Sequence, residues 1–159
     1  MRLLIAAVGR LKDGGERVLV DRYLKRLTSA KALGLGPVTE KELVEARHTT
    51  VPERQADEAA RLLKFADSAD LIIALDERGK PLSSQAFAAW LGARRDAGRR
   101  HAAFLIGGAD GHGPQIREKA DLLLSLSPMT LPHGLARAVL IEQLYRATTI
   151  LAGHPYHRA

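Results

Sequence analysis

Cysteine is absent from all 159 residues. That excludes a disulfide framework, a thiol nucleophile and cysteine-ligated zinc, and it fits a cytoplasmic protein. No apolar run nears the roughly 20 residues needed to cross a bilayer, so no membrane partner is expected. The stretch from Leu3 to Val8 is short and leads into Arg10 and Lys12 without a small-residue cleavage site. It is expected as a first β-strand rather than a signal peptide. Neither the G-x-G-x-x-G fingerprint nor the G-x-x-x-x-G-K-[ST] phosphate loop occurs, and there is no G-x-S-x-G nucleophile elbow. Of six histidines, His154 and His157 form H-x-x-H, but Pro155 between them argues against helical spacing and no acidic ligand is close in sequence. No metal site is expected. Repeats, low-complexity tracts and linkers are missing too, and the length suits one domain over 1–159.

What the chain does contain is a net charge of +6, which favours a polyanionic partner. Hydrophobic residues make up 46% and charged residues 26%, an ordinary globular balance. Apolar runs at Leu3 to Val8, Asp70 to Asp76, Ala102 to Ile106 and Leu122 to Leu126 read as buried strands. Helical periodicity predicts helices from about Asp13 to Ala32, from Val51 to about Ala66, from Ser83 or Ser84 to near Gly98, and from about Leu135 to Ala152. Thr50-Val51-Pro52-Glu53 carries a capping box with proline in the first turn, and Pro114 can open a further short helix. The segment from Val38 to Ala46 fits either a strand or an irregular connection. Strands alternating with helices imply an α/β fold, a largely parallel sheet with helices on both faces.

Ligands of such sheets bind at the carboxyl ends of the strands. Three loops qualify: those after Leu75, after Ile106 and after Leu126. The second, Gly107-Gly108-Ala109-Asp110-Gly111-His112-Gly113, allows close approach of backbone to a ligand, or it is a tight turn with His112 in solvent. The third, Leu126-Ser127-Pro128-Met129-Thr130-Leu131-Pro132-His133, combines apolar side chains with main-chain groups that could read a flat heterocycle, or it only caps the last helix. That helix is apolar around more than one stripe, which suggests one face on the core and another on a second subunit. Arg94, Arg95, Arg99 and Arg100 form the densest basic cluster, either a solvated helix end or a phosphate contact surface.

Four segments occur in a telling order: Phe104 to Gly111, Leu124 to His133, Glu142-Gln143-Leu144-Tyr145-Arg146-Ala147, and His154-Pro155-Tyr156-His157-Arg158. Together they resemble the ribosomal RNA large subunit methyltransferase H family of the SPOUT class, and the resemblance covers essentially the whole chain. It implies a homodimer with a C-terminal trefoil knot, an exception to the rule against threaded chains. It implies S-adenosyl-L-methionine as cofactor, held by Leu75, Gly107, Gly108, Leu126, Ser127, Pro128, Met129, Thr130 and Leu131. The implied reaction is methylation of N3 of a pseudouridine in 23S ribosomal RNA, with the assembled ribosome the expected substrate and naked RNA or a subunit the open alternatives. Tyr156, His157 and Arg158 are the expected catalytic residues, and His133, Arg137 and His154 the expected substrate contacts. The rival expectation is a non-enzymatic basic protein that binds RNA or the ribosome.

Overall fold

The computed structural model describes residues 1–29 and 34–157. Its strands are β1 (Arg2–Val8), β2 (Val38–Leu43), β3 (Leu71–Pro81), β4 (His101–Ile106) and β5 (Leu122–Ser125). Its helices are α1 (Gly15–Ser29), α2 (Val51–Phe65), α3 (Ser84–Asp96), α4 (Pro114–Lys119) and α5 (His133–Leu151). The expected end of the first helix near Ala32 lies outside the described residues. α5 begins at His133, two residues before the expected Leu135.

The strands form one sheet in the order β2-β1-β4-β3-β5, and every pairing is parallel. β1 and β4 run continuously apolar because they lie inside the sheet with both faces covered. β2 resolves the ambiguous segment as an edge strand: Thr39, Glu40, Lys41 and Glu42 alternate between faces, so no apolar run betrays it. On one face Val20 and Leu27 of α1, Phe87 and Leu91 of α3, and Leu140 and Leu144 of α5 pack against Ile5, Ile73 and Phe104. On the other, Ala59 and Leu62 of α2 and Ile116 of α4 pack against Leu4, Ala6 and Leu105. The architecture is therefore three-layered.

Local chemistry sets the helix starts. The Thr50 hydroxyl accepts from the Glu53 amide while the Glu53 carboxylate accepts from the Thr50 amide, closing the capping box of α2. Ser83 accepts from the Ala86 amide and opens α3.

β3 departs from expectation. It does not stop at Asp76: Leu75 pairs with Leu124, the chain bulges outward, and Lys80 pairs with Leu124 again. Gly79 permits the return, since a Cβ there would lie 2.6 Å from the Leu123 carbonyl carbon. The bulge pushes 76–79 out at the carboxyl end of the sheet.

Candidate active-site cleft and C-terminal tail

A cleft of about 630 Å³ opens where β3, β4 and β5 end. Parallel register sets its floor: Leu75 lies beside Ile106 on one side and Leu124 on the other. Gly107 and Gly108 form one wall, and Leu126, Ser127, Met129, Thr130 and Leu131 form another, with His133 at the rim. Pro128 stands in the same turn without facing the cleft. The three strand-end loops picked out in the sequence thus converge on one cavity.

Two networks fix these loops. The Ser127 hydroxyl accepts from the Met129 amide at 2.9 Å, and the Ser125 hydroxyl donates to the Ser127 carbonyl at 3.1 Å. Across the cleft, Arg54 of α2 donates to Asp110 at 2.6 Å and Gln55 donates to the Asp110 carbonyl at 2.8 Å. The Arg54 hydrogen bond holds the Asp110 carboxyl below the usual carboxylate range. The glycine loop is therefore clamped to α2.

His112 overturns an expectation. It is not a solvated loop residue but 3% exposed, tucked beneath the glycine loop with Nε2 at 3.2 Å from the Leu105 carbonyl. That geometry requires Nε2 to carry the proton, because a carbonyl only accepts. Burial pushes its pKa down, against the opposing pull of the Leu105 carbonyl and of Asp76.

Asp76, at the start of the bulge, is the buried acid of the cleft. It accepts from Arg117 Nε at 2.8 Å and from the Arg78 amide at 3.0 Å. Burial alone would raise its pKa, but those two bonds and the Arg117 charge hold it below the usual range. Composition gave no sign of the pair with Arg117, since the two residues are distant in sequence and meet where α4 packs on β3.

Arg137 is placed away from the expected substrate position. It is 0% exposed and absent from the cleft wall, spending its guanidinium on Glu40, Glu42 and the Gly9 carbonyl. His133, one turn earlier, is exposed and lays its ring against Gly9, where φ is +89° and a Cβ would lie 3.1 Å from Cε1. The positive φ favours glycine there, and the histidine ring leaves little room for a side chain.

Among the described residues, those of the tail, 153–157, do not line the cleft of their own chain. Tyr156 donates to Glu142 at 3.1 Å, lies 3.4 Å from the Tyr23 hydroxyl and packs edge-on against Tyr145. The Arg146 guanidinium sits 4.9 Å from the Tyr156 ring centre. His157 approaches Arg146 through Nδ1, while its buried Nε2 has no partner among the described residues. His154 Nδ1 accepts from the Tyr156 amide. Arg158 lies outside the described residues. Glu142 is about 14 Å along α5 from His133 at 1.5 Å per residue, so tail and cleft stand apart. Among the described residues no cluster of three histidine, aspartate or glutamate side chains could hold a metal ion, and no helix is long and apolar enough to cross a membrane.

A family model described as "Predicted SPOUT methyltransferase" matches residues 1–157. Proteins called ribosomal RNA large subunit methyltransferase H from Brucella anthropi and Allorhizobium ampelinum are 50% and 51% identical to this chain. Each alignment spans the whole of both proteins. The chain belongs to the ribosomal RNA large subunit methyltransferase H family of SPOUT methyltransferases. Among solved structures, a probable methylase family protein from Haemophilus influenzae Rd KW20 superimposes with a TM-score of 0.52 at 12% identity. The match covers 99% of this chain and 70% of that one, a likeness of fold.

Proposed function

We propose that this methyltransferase transfers a methyl group from S-adenosyl-L-methionine to N3 of a pseudouridine in 23S ribosomal RNA, acting on the assembled ribosome in the cytoplasm. The observation that carries the reading is the convergence of the three strand-end loops on one cleft in a chain of this family. The cleft suits the methyl donor chemically. Leu75, Ile106, Leu126 and Leu131 offer apolar surface to a flat heterocycle, and the loop backbone supplies donors and acceptors for its edges. Leu75, Gly107, Gly108, Leu126, Ser127, Met129, Thr130 and Leu131 would hold it, with Pro128 stiffening the turn that carries them. When bound, S-adenosyl-L-methionine supplies a methyl group carried on a sulfonium.

The N3 of pseudouridine is an imide nitrogen, a weak nucleophile while protonated. The protein must align it in line with the methyl group and manage that proton. In this reading His157 accepts the proton, Tyr156 fixes the base by stacking or hydrogen bonding, and Arg158 holds the substrate strand. His133 at the cleft rim and His154 add substrate contacts, while Arg137 braces the wall from within.

Since the described tail residues, 153–157, lie apart from their own cleft, we assign the tail to the cleft of a second copy. Leu135 and Val139, on successive turns of α5, are 40% and 38% exposed, and Met129 at the cleft mouth is 77% exposed. A homodimer covering this apolar face would bring one chain's tail towards the other chain's cleft. The same reading includes a trefoil knot in the C-terminal part.

The test is transfer of labelled methyl groups to naked 23S RNA, large subunits and whole ribosomes, followed by mapping of the modified nucleotide. Incorporation at a pseudouridine N3 on ribosomes is expected. Deleting residues 156–159 should abolish transfer while cofactor binding and dimerisation persist. Full activity of the truncated protein would remove the tail from the mechanism.

A further inference from the structure

Arg117 extends from α4 to the cleft, where it is only partly buried, its side chain 33% exposed. It uses one nitrogen, Nε, on Asp76. Its two terminal nitrogens have no hydrogen-bond partner among the described residues. Asp76 is a rigid anchor. Its side chain is 4% exposed, one oxygen is taken by Arg117, and the other accepts the Arg78 amide from the bulge. The arrangement tethers the guanidinium through Nε and leaves its two-nitrogen edge unspent, the geometry that matches paired oxygens of a phosphate.

The position favours a polymer over a small molecule. The apolar floor of Leu75, Ile106 and Leu124 is enclosed between strands, whereas Arg117 stands partly in solvent and Arg78 is exposed beside it. A strand crossing the opening presents its backbone to such a rim, and phosphate contacts of this kind fix register on a nucleic acid. Glu45 and Glu77 also border the cleft, so the rim is not a general cationic surface. The directed donors of Arg117, more than bulk charge, must provide the attraction.

We propose that Arg117 is an RNA-contacting residue, its free guanidinium edge gripping a backbone phosphate of the strand that enters the cleft. Asp76 is its positioning residue. This rests on the RNA methyltransferase reading above and adds to it the group that registers the substrate strand.

Three variants test it: Arg117→Ala, Arg117→Lys and Asp76→Asn, each checked for its melting temperature. Binding of S-adenosyl-L-methionine is measured by calorimetry without RNA, and binding to unmethylated ribosomes by co-sedimentation across a salt series. For Arg117→Ala, ribosome affinity should fall about tenfold, as expected for loss of a charge-assisted bidentate contact. The slope of log affinity against log salt should become shallower by roughly 0.7, the single-strand value for one phosphate. Cofactor affinity should stay within about twofold of wild type. Arg117→Lys should restore the slope but only part of the affinity, since a point charge lacks the fork. Asp76→Asn should weaken ribosome binding while leaving the slope unchanged, because the cation remains but is no longer held.

A fall in cofactor affinity with unchanged ribosome binding would overturn the proposal, placing the guanidinium on the carboxylate of the methyl donor. A lowered melting temperature with both affinities intact would overturn it too, leaving a tie between α4 and β3. If wild-type protein bound neither cofactor nor ribosomes, the functional reading itself would fall. That outcome is distinct from a wild type that binds both and an Arg117→Ala that matches it.

Discussion

Arg137 on α5 donates through Nη2 to the Gly9 carbonyl at 2.8 Å, so the last helix is pinned to the end of the first strand. Nη1 of the same guanidinium meets Glu40 at 3.0 Å and also Glu42, both on the edge strand β2. Glu42 takes the Leu11 amide as well. Burial would raise the Glu42 pKa, but the Leu11 amide and Arg137 outweigh it and hold the carboxyl below its usual range. With His133 against Gly9, this tie sets where α5 starts, and so where the loop through Leu131 enters the cleft.

Arg137→Met should therefore act on stability first. It leaves Glu42 facing a buried space without its cation, while Glu40 keeps Arg17 at 2.9 Å. A fully enclosed pair broken this way costs about 3–5 kcal/mol. Glu40 and Glu42 keep side-chain exposures of 16% and 26%, so water relieves part of the loss. A cost of about 2–3 kcal/mol is expected, read as a lower urea midpoint with an unchanged slope. Arg137→Lys should fall between, because one ammonium cannot span Gly9, Glu40 and Glu42 together.

The buried His112 makes stability depend on mildly acidic pH. Its pKa in the folded chain lies below the ordinary value of 6.5, chiefly through burial, so the unfolded chain binds the proton more readily. The stabilisation is complete above the unfolded value and is lost as pH falls through the lower folded value. Thermal melts should show falling stability below pH 6.5, in a window above that of Asp76, Asp110 and Glu42, whose depressed carboxyl values act at still lower pH. His112→Leu should flatten the slope just below pH 6.5. An equally steep slope in that variant would place the titration elsewhere.

How much of this the sequence discloses depends on how local each cause is. Thr50 and Glu53 are three residues apart and their capping box is legible at sight, as is the strand from Ala102 to Ile106. The cleft was legible too, because parallel sheets expose their carboxyl-end loops and three such loops stood out in composition. β2 was not, since an edge strand with polar alternation carries no apolar run. Nor was the bulge at 76–79, which arises from the pairing of β3 with β5. The burial of His112 contradicted its residue type, and Asp76 with Arg117 form a pair only after β3 and α4 come together. The tail was legible as unusual chemistry, yet its partners Tyr23, Glu142 and Arg146 had to be seen in space.

Gly79 should tolerate no side chain. A Cβ would meet the Leu123 carbonyl carbon and oxygen at 2.6 Å and the Leu124 nitrogen at 2.8 Å, all main-chain atoms that cannot rotate away. Either the bulge opens or β5 moves off β3. Gly79→Ala is expected to cost about 1–3 kcal/mol, the range for forced overpacking. Because Leu75 and Leu124 share the cleft floor across that pairing, calorimetry should also show weaker S-adenosyl-L-methionine binding. A thermal loss with unchanged cofactor affinity would mean that the strain is absorbed away from the floor.

Tyr156→Phe separates anchoring of the tail from proton transfer. Burial, then the bonds to Tyr23 and Glu142, raise the phenol's pKa above its ordinary value of 10.0. Its contribution to stability is therefore fully present below pH 10 and is lost only as pH rises through the folded value. The difference in stability between wild type and Tyr156→Phe should be constant from pH 6 to pH 9, at about 0.5–1.5 kcal/mol for one hydrogen bond that is partly open to water. The pH profile of methyl transfer should keep its shape in the variant while its height falls, since a phenol that stays protonated positions but does not titrate. If the profile shifted in the neutral range, Tyr156 would be handling the proton here assigned to His157.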